Sequence, residues 1–139
     1  MLERFLMVIL IATIAVIVYQ LYTRRQLATV TANRHIDPIL QGLLPNVPAI
    51  IYFTTPGCMP CKTQQQPALH RLKTELGENV QIIQIDATEQ PDTADRWGVL
   101  SAPTTFVLNA QGQPNAVNHG VADEHKLKRQ LIKALPDDI

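Results

Sequence analysis

Cysteine is scarce in this chain, with two residues in 139. That excludes a small secreted scaffold held together by several disulfides. An excess of one charge sign is missing as well. Twelve Lys and Arg balance twelve Asp and Glu, and from Asn46 onward 8 basic residues face 10 acidic ones. No basic stripe is on offer to a phosphate backbone, so no nucleic-acid partner is expected. Glycine-rich phosphate loops, internal repeats and low-complexity stretches are also lacking. The length leaves room for one domain of ordinary size plus a short appendage.

Long apolar runs are not lacking. Residues 5–22 read FLMVILIATIAVIVYQLY, with Thr13 and Gln20 as the polar interruptions. Eighteen residues at ~1.5 Å per residue give a helix of ~27 Å, enough to cross a thin hydrocarbon core. Tyr19 and Tyr22 fall where an aromatic belt would lie, and Arg24 and Arg25 stop the run. The expected element is a single-pass transmembrane helix over 5–22, with a juxtamembrane linker over 23–26. A cleaved leader is the rival reading, with VTA at 30–32 as its cleavage site. A buried core helix fits less well, because the apolar residues surround the whole helix. Arg24, Arg25 and Arg34 against Arg4 lean the domain toward the cytoplasmic side, by one or two charges.

The rest of the chain alternates strand and helix signals. A short strand is expected over 26–31 (QLATVT). Asp37-Pro38 reads as an N-cap with proline in the first turn of a helix reaching Leu44. AIIYFTT (49–55) is a continuous β-rich run, as a strand buried on both sides would be. Ala68, Leu69, Leu72 and Leu76 keep helical spacing up to a stop at Gly77, with Pro67 as an expected kink. Further strands are expected at 80–85, at 104–108 and around Pro114, which belongs at a sheet edge. Short helices are expected from Pro91 to Trp97, ended by Gly98, and from Asp123 through Leu127, Leu131 and Leu135 to Pro136. This order implies an α/β sandwich with a mixed central sheet.

Both cysteines lie in TTPGCMPCK (54–62), at the junction of a buried strand and a helix. Cys58 near the helix N-cap gains thiolate character from unpaired N–H groups and the positive end of the dipole. Cys61, one turn in, is within bonding reach. Cys58 is therefore the expected nucleophile and Cys61 the resolving thiol, with Pro60 tolerated in the first turn. A tetrahedral zinc site needs four ligands, and His70, His119 and His125 are scattered, so no metal is expected. A purely structural disulfide across two residues closes almost no loop and stabilises little.

A strand, a C-x-x-C-Lys on a helix, and SAPTTF (101–106) some forty residues later together resemble the thioredoxin family over roughly residues 27–135. The stretch DRWGVLSAPT and the late Gly120 strengthen the likeness. The resemblance implies a thioredoxin-like three-layer sandwich, a domain over 27–139 and a redox-active Cys58–Cys61 disulfide with no other cofactor. It also implies a cis Pro103 beside the cysteines, with the peptide of Ala102 offering hydrogen bonds to an extended client. Gly57, Met59 and Pro60 would border that client, with Trp97 either on the rim or in the core. Four positions depart from the family pattern. Gly57 stands where tryptophan is common, Tyr52 replaces a buried acid, Ile82 replaces its lysine partner, and Pro67 falls one residue late.

The function that follows is a membrane-anchored thiol–disulfide oxidoreductase, with disulfide-containing proteins as clients and a thiol reductase system as electron donor. Pro60 before the second cysteine resembles the reducing members. An outward-facing oxidase or isomerase is the alternative, and so is a non-catalytic module holding clients in the groove beside Pro103.

Overall fold

The computed structural model describes residues 1–32 and 37–133. Helix α1 (Leu2–Ala32) is a single run of 31 residues. The strand expected over 26–31 does not form, and residues 23–26 continue the helix instead of linking two elements. No glycine or proline interrupts the chain before Pro38. Extending an existing helix adds a bond per residue, whereas a new strand would have to start afresh at a sheet edge. Leu2–Ala28 is long and apolar enough to cross a membrane.

After α2 (Pro38–Gln41) come β1 (Ala49–Thr54), a π-helical turn (Cys61–Gln65), α3 (Gln66–Leu76) and β2 (Gln81–Asp86). Then follow α4 (Pro91–Arg96), β3 (Thr104–Leu108), β4 (Pro114–His119) and α5 (Glu124–Lys133). Asp37 caps α2 as expected, accepting from the Ile39 N–H at 3.0 Å. The helix stops at Gln41, short of Leu44, because Gly42 follows and Pro45 lies just beyond. Leu135 and Pro136 lie outside the described residues.

The sheet runs β2-β1-β3-β4. β1 and β2 are parallel, while β1–β3 and β3–β4 are antiparallel. Pro114 sits on the edge strand, where its missing N–H interrupts no central ladder. Helices cover both faces, so the layers number three as expected. One core gathers Ile50, Tyr52, Val107 and the two cysteines beneath Leu69 and Leu72 of α3 and Leu127 and Leu131 of α5. The other gathers Ile51, Phe53, Phe106 and Trp97, packed against residues of α1, α2 and α4. The period-two alternation along β1 and β3 sorts these residues between the faces.

Trp97 is a core residue, only 1% exposed, so a place on the client-facing rim is ruled out. Its ring meets Phe106 at 4.9 Å and Phe53 at 6.0 Å. Its indole N–H donates to the Asp37 carboxylate at 2.7 Å. An indole buried this deeply needs such a partner, and the α2 cap supplies it.

Candidate active site

β1 ends at Thr54, and a turn carries the chain to Cys58, whose N–H donates to Thr55 O at 3.2 Å. Helical backbone begins at Met59, which places Cys58 at the N-terminal cap. Cys58 and Cys61 are joined, with an S–S distance of 2.08 Å and Cα atoms 5.3 Å apart. The Cys61 N–H donates to Cys58 Sγ at 3.2 Å. A backbone donor aimed at this sulfur is of the kind that favours thiolate over thiol. Burial separates the two sulfurs: Cys58 is 9% exposed and Cys61 0%. Only the first offers an edge to an incoming disulfide.

Around Cys58, Gly57, Met59 and Pro60 are exposed, with Met59 at 63%. A side chain on Gly57 would meet nothing within 4 Å, so the space beside Cys58 is open. The Ala102–Pro103 peptide is cis. Pro103 is buried, and Ala102 packs against the cluster that contains the disulfide. A groove of about 210 Å³ runs past Thr55, Leu100, Ser101 and Ala102. Thus Cys58, Cys61, Ala102, Pro103 and the loop residues 57, 59 and 60 share one end of the sheet, and Trp97 lies in the core of the other face.

Behind Cys61 the surroundings are unusual. Tyr52 is 1% exposed, and its hydroxyl lies near Thr54 and Gln66 without a hydrogen bond of ordinary geometry. Burial pushes its pKa above the ordinary tyrosine value, so the group stays a neutral phenol. Tyr52, Ile82 and Gln66 line a shallow cleft of about 640 Å³ that opens to solvent past Lys62 and His70.

These features stand together with a match to a family model. The model for thioredoxin matches residues 26–133. The chain belongs to the thioredoxin family. It is 43% identical over 83 residues to a thioredoxin of Bacillus subtilis, covering 60% of this chain and 78% of that one. Against a thioredoxin of Rhodospirillum rubrum it is 35% identical over 80 residues, covering 58% and 75%. Among solved structures, a thioredoxin-2 of the malaria parasite superposes with a TM-score of 0.62 at 20% identity, over 68% of this chain and 90% of the other. The DsbF protein of MTB gives 0.56 at 16% identity, over 66% and 83%. At those identities the structures speak for the fold alone. As a thioredoxin-family protein, the chain is a thiol–disulfide oxidoreductase that uses a C-x-x-C disulfide and no external cofactor.

The late proline now has a physical explanation. The extra residue between Cys61 and Pro67 is absorbed by the π-helical turn, where Gln66 N–H reaches back five residues to Cys61 O. α3 continues the helix from there, and Pro67 falls in the turn where the bonding register changes.

Three residues near the site escaped the sequence reading. Gln65 is fully buried; its amide donates to Ala122 O at 3.0 Å and accepts from Ala122 N–H at 2.8 Å. This clasp ties the helix of the cysteines to the loop after Gly120. His119 closes β4 with its ring against Tyr19 and Tyr22, and burial holds its pKa below the ordinary value. Gln26 is 6% exposed and donates to Trp97 O at 2.9 Å and Gly98 O at 2.6 Å. Gly98 has φ +66, which favours glycine, and a Cβ there would crowd the Gln26 side chain at 3.2 Å. Tyr19, Tyr22, Thr23, Gln26 and Leu27 keep i, i+3, i+4, i+7, i+8 spacing, and that stripe was the available signal for the helix.

Proposed function

We propose that this protein is a membrane-anchored protein-disulfide reductase. Cys58 thiolate attacks one sulfur of a client disulfide, and the other client sulfur leaves as a thiolate and takes up a proton. Cys61 then gives up its proton and attacks Cys58 Sγ. This releases the second client thiol and closes the Cys58–Cys61 bond, so two electrons pass to the client. A donor thiol system restores the dithiol. Ala102 and cis Pro103, with Gly57, Met59 and Pro60, hold the client strand.

The observation that carries the direction is the single hydrogen-bond donor that the described residues offer to Cys58 Sγ. Among the described residues, its sulfur accepts from the Cys61 amide alone, with no cation or imidazole bonded to it. A strongly stabilised thiolate makes an oxidant, and a weakly stabilised one keeps the disulfide favoured and the dithiol reducing. Pro60 and the thioredoxin relatives support the same direction. Anchoring over 5–22 is supported by the buried, hydrogen-bonded Gln26. Cleavage after the VTA stretch would strip this residue from the core, and a disposable leader has no reason to pack there. The charge bias at Arg24 and Arg25 favours the cytoplasmic side for the domain over 27–139.

The test is a redox titration together with insulin reduction by the full chain. A potential near the thioredoxin value of ~−270 mV is expected, and one near −120 mV, the oxidase end, overturns the reading. Cys58→Ser abolishes turnover, whereas Cys61→Ser traps the client as a mixed disulfide through Cys58.

A further inference from the structure

The second half of α1 grips the catalytic body at two heights. Tyr19 and Tyr22 have ring centroids 6.4 Å and 6.1 Å from that of His119. One turn later Gln26 is bonded to Trp97 and Gly98. The rise from Tyr22 to Gln26 is ~6 Å, so the His119 contact is the one nearer the apolar run.

His119 also marks one end of the sheet. It pairs with Thr104 on β3, and Thr104 pairs with Phe53 on β1, one residue before the strand ends and the disulfide loop departs. The next residue, Gly120, donates its N–H to Pro103 O at 2.8 Å. The catalytic end of the sheet is therefore the end beside Tyr19 and Tyr22, where the apolar run stops and the headgroup zone begins. Exposed apolar side chains stand at that end too. Met59 is 63% exposed, Leu100 81% and Val121 39%. They give the rim of the site an apolar character.

We propose that α1 holds the disulfide turned toward the bilayer, and that the clients are disulfides of membrane-bound proteins lying close to the membrane surface. This rests on the anchored-reductase reading above. The same two-electron exchange operates: the client S–S bond opens to two thiols as Cys58 and Cys61 join. What the seam adds is selection by height above the membrane, because a body clamped to its own span cannot swing out to a distant loop.

The reduced full chain, reconstituted in phosphatidylcholine vesicles, tests this with three probes. Two are single-span peptides bearing a small disulfide loop. In one the loop follows the span directly, and in the other it stands on a proline-rich spacer of about twelve residues, ~37 Å long. The third is insulin in bulk solution. The near loop is expected to be reduced at least about tenfold faster than the far one. A glycine–serine insertion of about twelve residues between Tyr22 and Thr23 gives a slack of ~20 Å. It should cut that preference below about threefold while insulin reduction stays within about twofold. Tyr19→Ala with Tyr22→Ala should lower the preference in the same direction. Equal rates on near and far loops, with insulin reduced normally, overturn the inference and leave the reductase standing. Failure to reduce any of the three overturns the reductase reading and the inference with it.

Discussion

The two faces of the sheet are built from the same strands yet carry different chemistry. On one face Ile50, Tyr52 and Val107 meet the disulfide, and buried polar groups are present: the Tyr52 hydroxyl and the Gln65 amide. On the other, Phe53, Phe106 and Trp97 stack as an aromatic block, and the polar groups at its margin, Asp37 and Gln26, hold helices in place. The comparison separates two jobs. The aromatic face supplies stability and fixes α1 and α2 to the body, while the cysteine face keeps polar groups in the core that holds the disulfide.

Trp97→Ala probes that division most strongly. Removing a fully buried tryptophan should cost about 3–5 kcal/mol, and it leaves the Asp37 carboxylate with Arg96 at 3.5 Å as its remaining charged neighbour. Denaturant unfolding will register this as a lower midpoint with an unchanged slope. The redox potential of Cys58–Cys61 should stay where it is, because no aromatic ring of that block joins the cysteine cluster. A potential that moves with the stability would break the comparison.

Gln65→Ala acts on the opposite face with a smaller effect. It deprives both the N–H and the C=O of Ala122 of their buried partner, worth about 1–3 kcal/mol. Unlike the tryptophan change, it also loosens the loop after Gly120, which is hydrogen-bonded to Pro103. Client turnover should therefore fall by more than the unfolded fraction accounts for. Turnover measured far below the melting temperature separates the two contributions.

These contrasts were unequally legible in the sequence. β1, β2 and β3 are apolar runs bounded by turn residues, so their positions and the mixed sheet followed from local pattern, as did the C-x-x-C at a strand-to-helix junction. Tyr52 and Ile82 were readable as departures only against the family pattern that the resemblance supplied. The extended α1 was missed because QLATVT has strand-like residues, whereas the helix there is held by Gln26 reaching residues 97 and 98, some seventy positions away. Gln65 was hidden for a related reason. In KTQQQP it looks like part of a solvated helix face, and only closure of the loop at Ala122 buries it. The ambiguity at Trp97 was resolved by its partner Asp37, 60 residues distant. Local pattern identified most elements and placed the C-x-x-C, while the long-range polar contacts that position them became visible only in the fold.

Tyr52→Phe is the finest test, since it changes one atom on the cysteine face. The hydroxyl is buried without a hydrogen bond of ordinary geometry, so losing it at neutral pH should be neutral or stabilising by up to about 1 kcal/mol. The sign changes nowhere below the ordinary tyrosine pKa of 10.0, because the phenol is protonated in both folded and unfolded chains. Above it, the unfolded chain releases the proton while burial keeps the folded phenol neutral. Stability associated with Tyr52 is thus fully present below about pH 10 and is lost as pH rises from there through the raised folded value. The Phe variant lacks this titration, so its stability advantage over the parent should widen above about pH 10 and stay flat below it. Parallel unfolding curves at pH 7 and in the alkaline range check this. A gap that already depends on pH near neutrality would mean that the phenol ionises beside Cys61, and the cysteine face would then carry a working acid where the structure places a silent one.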